Sequence, residues 1–181
     1  MHPLNNTPAL SSTETSGSIY EFNHVGISVP DCDAAVAWYT SVLHYRLLKP
    51  VLHVKRELLP EAFIFKIFDS KLQEFKIAWL GTGRNGGGLE LFEFIEPAHR
   101  APEQEGIDYT RCGVFHISLT VPNPDDVGQQ VLEAGGTRIG HPVTMPSGDR
   151  VVYCQDPWGN TLELLSAPFE QIIQTGPPSE P

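Results

Sequence analysis

Cysteine is scarce in this 181-residue chain, with only Cys32, Cys112 and Cys154. They are odd in number, far apart and in no CxxC spacing, which excludes a disulfide framework and reads as reduced thiols in a cytoplasmic protein. Basic residues are few as well: 12 Lys and Arg stand against 22 Asp and Glu, a formal charge of -10. Without a run of Lys or Arg there is no basic stripe for phosphate backbones, so neither nucleic acid nor an anionic membrane is an expected partner. No apolar run approaches the ~18 to 20 residues of a membrane span, and the N-terminus lacks the charged and apolar regions of a signal peptide. GxSxG and HExxH are absent. The glycine-rich stretch Gly83-Arg84-Asn85-Gly86-Gly87-Gly88 does not end in the Gly-Lys-Ser/Thr of a phosphate loop.

What the chain does have is a repeat. His24-Val25-Gly26-Ile27-Ser28-Val29-Pro30 returns as His116-Ile117-Ser118-Leu119-Thr120-Val121-Pro122, and Leu89-Glu90-Leu91 returns as Leu162-Glu163-Leu164. Each half carries one His early and one Glu late. Two imidazoles and two carboxylates form a ligand set suited to a borderline divalent metal, if folding brings them together.

The local patterns outline the elements of each half. Val25, Ile27 and Val29 alternate with His24, Gly26 and Ser28, the period of a half-buried strand. Asp31 or Asp33 then caps a helix whose apolar positions are Val36, Trp38, Tyr39, Val42 and Leu43. Glu74 to Leu80 and Leu89 to about Ile95 read as strands joined by the glycine-rich turn. In the second half His116 to Val121 reads as a strand, Pro124 to Ala134 as a helix ending at Gly135-Gly136, and Arg150 to Cys154 and Thr161 to Ser166 as strands about a turn at Asp156 to Asn160. Both halves are expected to be βαβββ modules.

The His-to-Glu spacing is 66 residues in the first half and 47 in the second. The extra ~19 residues fall in the region Val51 to Ser70, where an insertion would reshape a cavity wall. There Leu59, Phe63, Ile67 and Phe68 fit a helix face, while Phe63 to Phe68 also fits a strand. Residues 1–18 are expected to be a disordered tail, since they have too little apolar surface to offset ordering. A single domain spans 19–167, with module one at about 19–98, a linker at about 99–111 and module two at about 112–167; 168–181 is a C-terminal tail.

Parity places the ligand candidates. If Val25, Ile27 and Val29 pack on the helix, His24 points the other way; Leu89 and Leu91 put Glu90 on that same far face. His116 and Glu163 follow the same rule. The bland alternatives are a hydrogen-bonded structural His and a solvated Glu, and a duplication would repeat those as well.

The stretches His24 to Asp31, Gly113 to Ser118, and Asp156-Pro157-Trp158-Gly159-Asn160-Thr161-Leu162-Glu163-Leu164 resemble the vicinal oxygen chelate superfamily, which includes glyoxalase I, methylmalonyl-CoA epimerase, extradiol dioxygenases and antibiotic-resistance proteins. The likeness runs from about Ile19 to Ala167. It implies an α+β fold of paired βαβββ modules forming a half-open barrel, with one divalent metal ion (Zn, Ni, Co, Mn or Fe) in the cavity. By position, His24, Glu90, His116 and Glu163 would be the ligands.

Three functions are then open. The leading one is a glyoxalase I-like lyase or isomerase, or an epimerase, acting on a small oxygen-chelating substrate: the metal polarises a carbonyl, and Glu163 or Glu90 moves the proton of the adjacent carbon. The second is an Fe(II) extradiol dioxygenase using His24, His116 and Glu163, for which Glu90 would be a superfluous fourth ligand. The third is a non-catalytic small-molecule binding or resistance protein, its cavity walls drawn from Phe92, Phe94, Trp79, Tyr153 and Trp158, of which Trp158 is least readily assigned to the core. Arg46, Arg84, Arg100, Arg111 and Arg150 are candidate anion contacts, though each also reads as surface charge; His44, His53, His99 and His141 read as loop or surface residues. Pairing of modules between two chains makes a homodimer an expected partner state.

Overall fold

Alternation in the first repeat produces strand β1 (His24–Ser28) in the computed structural model, which describes residues 20–83, 87–101, 106–110 and 112–175. The expectations for residues 1–18, Gly176 to Pro181, Arg84 and Arg111 lie outside the described residues. Asp31 caps helix α1 (Cys32–Val42): its backbone is extended and its Oδ1 accepts the Ala34 N–H at 3.0 Å, a contact type that contributes about 1 kcal/mol. Cys32, Ala35, Trp38, Tyr39 and Val42 form the buried stripe of α1. The first module continues through β2 (Arg46–Leu47), β3 (Leu52–Lys55), α2 (Ile64–Ile67), β4 (Glu74–Gly81) and β5 (Gly88–Glu96).

The second module repeats the plan as β6 (Ile117–Thr120), α3 (Pro124–Glu133), β7 (Thr137–Thr144), β8 (Arg150–Gln155) and β9 (Thr161–Leu165). Pro124 begins α3 where a missing N–H costs nothing, Asn123 accepts from Asp125 and Asp126, and Gly135 ends it at φ 86. The strand β7 is not placed by the sequence reading: its residues alternate poorly, and most are exposed.

Two sheets result, ordered β1-β5-β4-β2 with β3 also on β4, and β6-β9-β8-β7. In each, the first and last strands pair in parallel and the others antiparallel. The sheets share no strand pairing, and one core lies between them. Leu89 and Leu91 from one sheet and Leu162 and Leu164 from the other meet Trp38, Tyr39 and Val131 of the two helices there. The helices are therefore sandwiched, and the opposite faces of the two sheets look outward in opposite directions.

The modules are latched by polar contacts within this core. The Tyr39 hydroxyl donates to Asp156 Oδ2 at 2.9 Å, and the Trp38 indole donates to the Ala134 carbonyl at 2.9 Å. Burial, then the Asp156 carboxylate, raises the Tyr39 pKa well above its usual value, so the phenol stays a donor. Burial likewise pushes the Cys32 thiol up to about 12 and the Cys154 thiol to about 11, which leaves both inert.

Two expectations change. Helix α2 is a single turn that buries Ile64 and Phe65 against Phe75, Ile77 and Val54 on the outward face of the first sheet, while Leu59, Phe63, Ile67 and Phe68 are exposed. One turn is too short for a 3.6-residue period to define a face. Past Ala167, within the segment assigned to the C-terminal tail, α4 (Phe169–Thr175) packs Ile172 against Leu165. Thus α2 covers part of one outward face and α4 part of the other.

Candidate functional site

The parity argument holds at all four positions. Gly26 pairs with Glu90 and Ser118 with Glu163, so each Glu projects from the outward face of its sheet, diagonal to His24, which opens β1, or to His116, which immediately precedes β6. His24 Nε2 lies 3.2 Å from Glu90 Oε2, and His116 Nε2 lies 3.4 Å from Glu163 Oε2. The structure thus brings the four residues together as two pairs, on opposite faces of the chain.

Each pair has a third member. Trp79, opposite Glu90 in the β4–β5 register, donates its indole N–H to Glu90 Oε1 at 2.9 Å. Tyr153, opposite Glu163 in the β8–β9 register, donates its hydroxyl to Glu163 Oε1 at 2.7 Å. Both aromatics therefore fix a carboxylate with one oxygen engaged and the other turned toward the imidazole. Burial, followed by the hydrogen bond to Glu163, raises the Tyr153 pKa, so it remains a proton donor to that carboxylate. The sequence carried a signal for this role: a hydrogen-bonding aromatic precedes one Glu by 11 residues and the other by 10. Tyr153→Phe is expected to weaken metal retention about 10- to 100-fold, the usual cost of losing a partner that orients a ligand. A chelator competition titration measures it, and unchanged retention would remove Tyr153 from the site.

The donor set fits a divalent ion. Ligands about 2.1 Å from an ion and at right angles lie about 3 Å apart, close to both His–Glu separations. His116 Nδ1 is buried with no hydrogen-bond partner, and His24 Nδ1 contacts Asn23 Oδ1 at 2.6 Å. The imidazole of His116 is instead fixed by edge contacts with Phe115 and Tyr153. Each pair supplies only two ligands, half of a tetrahedral set or a third of an octahedral one.

A second acidic group, Asp31, Asp33 and Glu93, brings three carboxylates within 4.8 Å, yet its charges are already used. Lys76 Nζ sits 2.8 Å from Asp33 and 3.3 Å from Glu93, Glu93 also accepts the Cys32 N–H, and Asp31 caps α1. An ammonium ion holds the place a metal would need.

Beside the first pair a cleft of about 450 Å³ runs from His24, Glu90 and Trp79 to Leu48 and Arg46. Of the other residues singled out by sequence, Phe92 and Phe94 stack on the outward face next to α2, and Trp158 packs edge-on against Trp38 at the rim of the core. Trp158 is thus core-associated, whereas Trp79 belongs to the site. Arg150 is held by Asp125, His53 by Glu74 and His99 by Ser28.

Residues 21–164 match the sequence profile of the Glyoxalase/Bleomycin resistance protein/Dioxygenase superfamily. The chain belongs to this superfamily. Within the glyoxalase superfamily it is similar to a protein named 2-epi-5-epi-valiolone epimerase from Actinomyces sp, at 31% identity over 158 residues and 82% of each chain. A glyoxalase family protein from Bacillus cereus shares the fold at TM-score 0.67 and 18% identity, over 83% of this chain and 96% of the other. The trypanothione-dependent glyoxalase I of Leishmania major does so at TM-score 0.55 and 20% identity, over 86% and 91%. Among the described residues no helix is long and apolar enough to cross a membrane.

Proposed function

We propose that this glyoxalase-superfamily chain is a divalent-metal-dependent isomerase or epimerase of a small carbonyl compound, with its site completed by a second copy of the chain. The observation that carries the reading is the pair of matched half-sites, His24–Glu90–Trp79 and His116–Glu163–Tyr153, one on each outward face. In a two-fold dimer, the first sheet of one protomer facing the second sheet of its partner gathers all four ligands, and symmetry forms two such sites. The relative named as an epimerase supports proton transfer over oxygen chemistry. Glu90 supports it too: it is built into its sheet as Glu163 is, with its own donor, which disfavours a three-ligand iron site.

When bound, the metal would hold substrate oxygens and polarise the carbonyl, acidifying the neighbouring C–H. Glu163 or Glu90, each with one oxygen engaged by its aromatic donor, accepts that proton and returns it, either to the same carbon from the other side or to its neighbour. No atom is gained or lost, as epimerisation and isomerisation require. Such general-base action contributes ~10²- to 10⁴-fold.

Elemental analysis of protein purified without chelator is expected to find about one ion per chain, as two sites per dimer require, with marked loss in His116→Ala and Glu163→Gln. Stripping should abolish turnover of a 2-epi-5-epi-valiolone-type substrate or its phosphorylated form, and Zn or Co should restore it. Full metal content in both variants, or full activity after stripping, would overturn the reading.

A further inference from the structure

We propose that Arg46 anchors an anionic group of the substrate, a carboxylate or a phosphoryl group, at the end of the cleft away from His24 and Glu90. The inference rests on the reading of His24 and Glu90 as the metal-holding end of that cleft. It starts from a difference between two modules that otherwise repeat one another.

In the first sheet, His24 lies opposite Gly88, and Arg46 lies opposite Gly81. Gly81 follows Trp79 by two residues and Gly88 precedes Glu90 by two, in strands where Trp79 faces Glu90. His24, Gly88, Gly81 and Arg46 therefore cross the outward face as one row. Strand spacing sets about 14 Å between the backbones at its ends. In the second sheet the matching row holds Thr161, Gln155 and Thr137, all with side chains, next to His116 just before β6. The first module thus has a glycine floor, lined over Gly81 by the Leu48 side chain, and a cation where the second has polar side chains and none. A Cβ on Gly88 would come within 3.0 Å of the Leu80 carbonyl oxygen, so the floor is not readily filled.

Arg46 is also available. Arg150 is held by Asp125, and Arg56 by two backbone carbonyls and the Phe65 ring. The Arg46 guanidinium, by contrast, has no hydrogen bond or ion pair among the described residues, although it lines the same cleft as His24 and Glu90. Its guanidinium rests over Gly83 at φ 76, where a Cβ would fall 2.6 Å from Nη2. An unpaired guanidinium in a chain of net charge -10 is left to recognise an oxyanion, which it does with two parallel N–H donors.

The test is calorimetric titration of the full chain with inorganic phosphate and, separately, acetate, in metal-loaded and chelator-stripped protein. Stripped protein is expected to bind at least one of the two, and the better ligand identifies the anion. Arg46→Gln should weaken it about tenfold or more, Arg46→Lys less, and Arg100→Gln, an equal change of net charge, not at all. Equal binding by wild type and Arg46→Gln, or no binding of either anion, overturns the proposal. In Mn(II)-loaded protein the bound phosphate should show enhanced ³¹P relaxation. Arg46-dependent binding without that enhancement would sustain the anchor while refuting the metal at His24 and Glu90.

Discussion

Chains carrying Glu90→Gln, mixed with chains carrying Glu163→Gln, are expected to regain metal that neither variant holds alone. In the proposed two-fold arrangement each variant homodimer would have two sites, and every one would lack a carboxylate ligand. Loss of an orienting partner already costs 10- to 100-fold in affinity, so loss of a ligand should leave roughly a tenth of the metal or less after dialysis against a weak chelator. In a mixed dimer, the intact first module of one chain faces the intact second module of the other, and one of the two sites is complete. Random mixing makes about half the dimers mixed, hence about a quarter of wild-type metal content. The physical basis is the sandwich: Leu89 and Leu91 turn inward to the same core as Leu162 and Leu164, which sends Glu90 and Glu163 outward on opposite sides. No recovery on mixing after unfolding and refolding together would show that the half-sites do not meet between chains.

The largest loss of stability is expected from Asp156→Ala. This carboxylate is 2% exposed and accepts four hydrogen bonds: from the Trp158 and Asn160 backbone N–H groups, the Asn160 side-chain amide and the Tyr39 hydroxyl. Removing it strands the buried Tyr39 hydroxyl and unpins the turn that leads into β9, at a cost of about 3 to 4 kcal/mol. For a chain of this length that lowers the melting temperature by roughly 10 °C. Tyr39→Phe removes one donor and leaves three, so about 1 to 2 kcal/mol is expected. Because both changes break the same contact, the double variant should cost less than the sum. Urea unfolding of the four proteins measures the cycle, and an Asp156→Ala protein within 1 kcal/mol of wild type would refute the latch.

The Asp156 latch also explains why the Asp-Pro-x-Gly-Asn stretch was so recognisable. Asp156 binds the turn locally and the other module at long range, with Gly159 at φ 88 closing the loop. Only the local half of that role can be read from five adjacent residues. Tyr39, 117 positions away, looks in sequence like one more apolar residue of a helix face.

Much of the fold was legible for a simple reason. Strand alternation and helix spacing are properties of neighbouring residues, so β1, α1, β4, β5, β6, α3, β8 and β9 could be placed, and parity put His24, Glu90, His116 and Glu163 on the faces away from the helices. Where periodicity was short or weak, as in α2 and β7, placement failed. Trp79 and Tyr153 looked like core or cavity wall because their role depends on cross-strand register, which brings each opposite a Glu.

The sequence by itself determined two βαβββ modules, each with a His and a Glu on one face. Only the tertiary structure decided that these modules stack helix to helix, because the apolar stripes of α1 and α3, each packed on its own sheet, are buried in one shared core. That packing separates the four candidate ligand residues into two outward pairs and leaves the Arg46 guanidinium without a partner among the described residues, at the end of a glycine row. Spacing along the chain fixes which face a side chain takes, whereas the burial of shared apolar surface fixes where that face points.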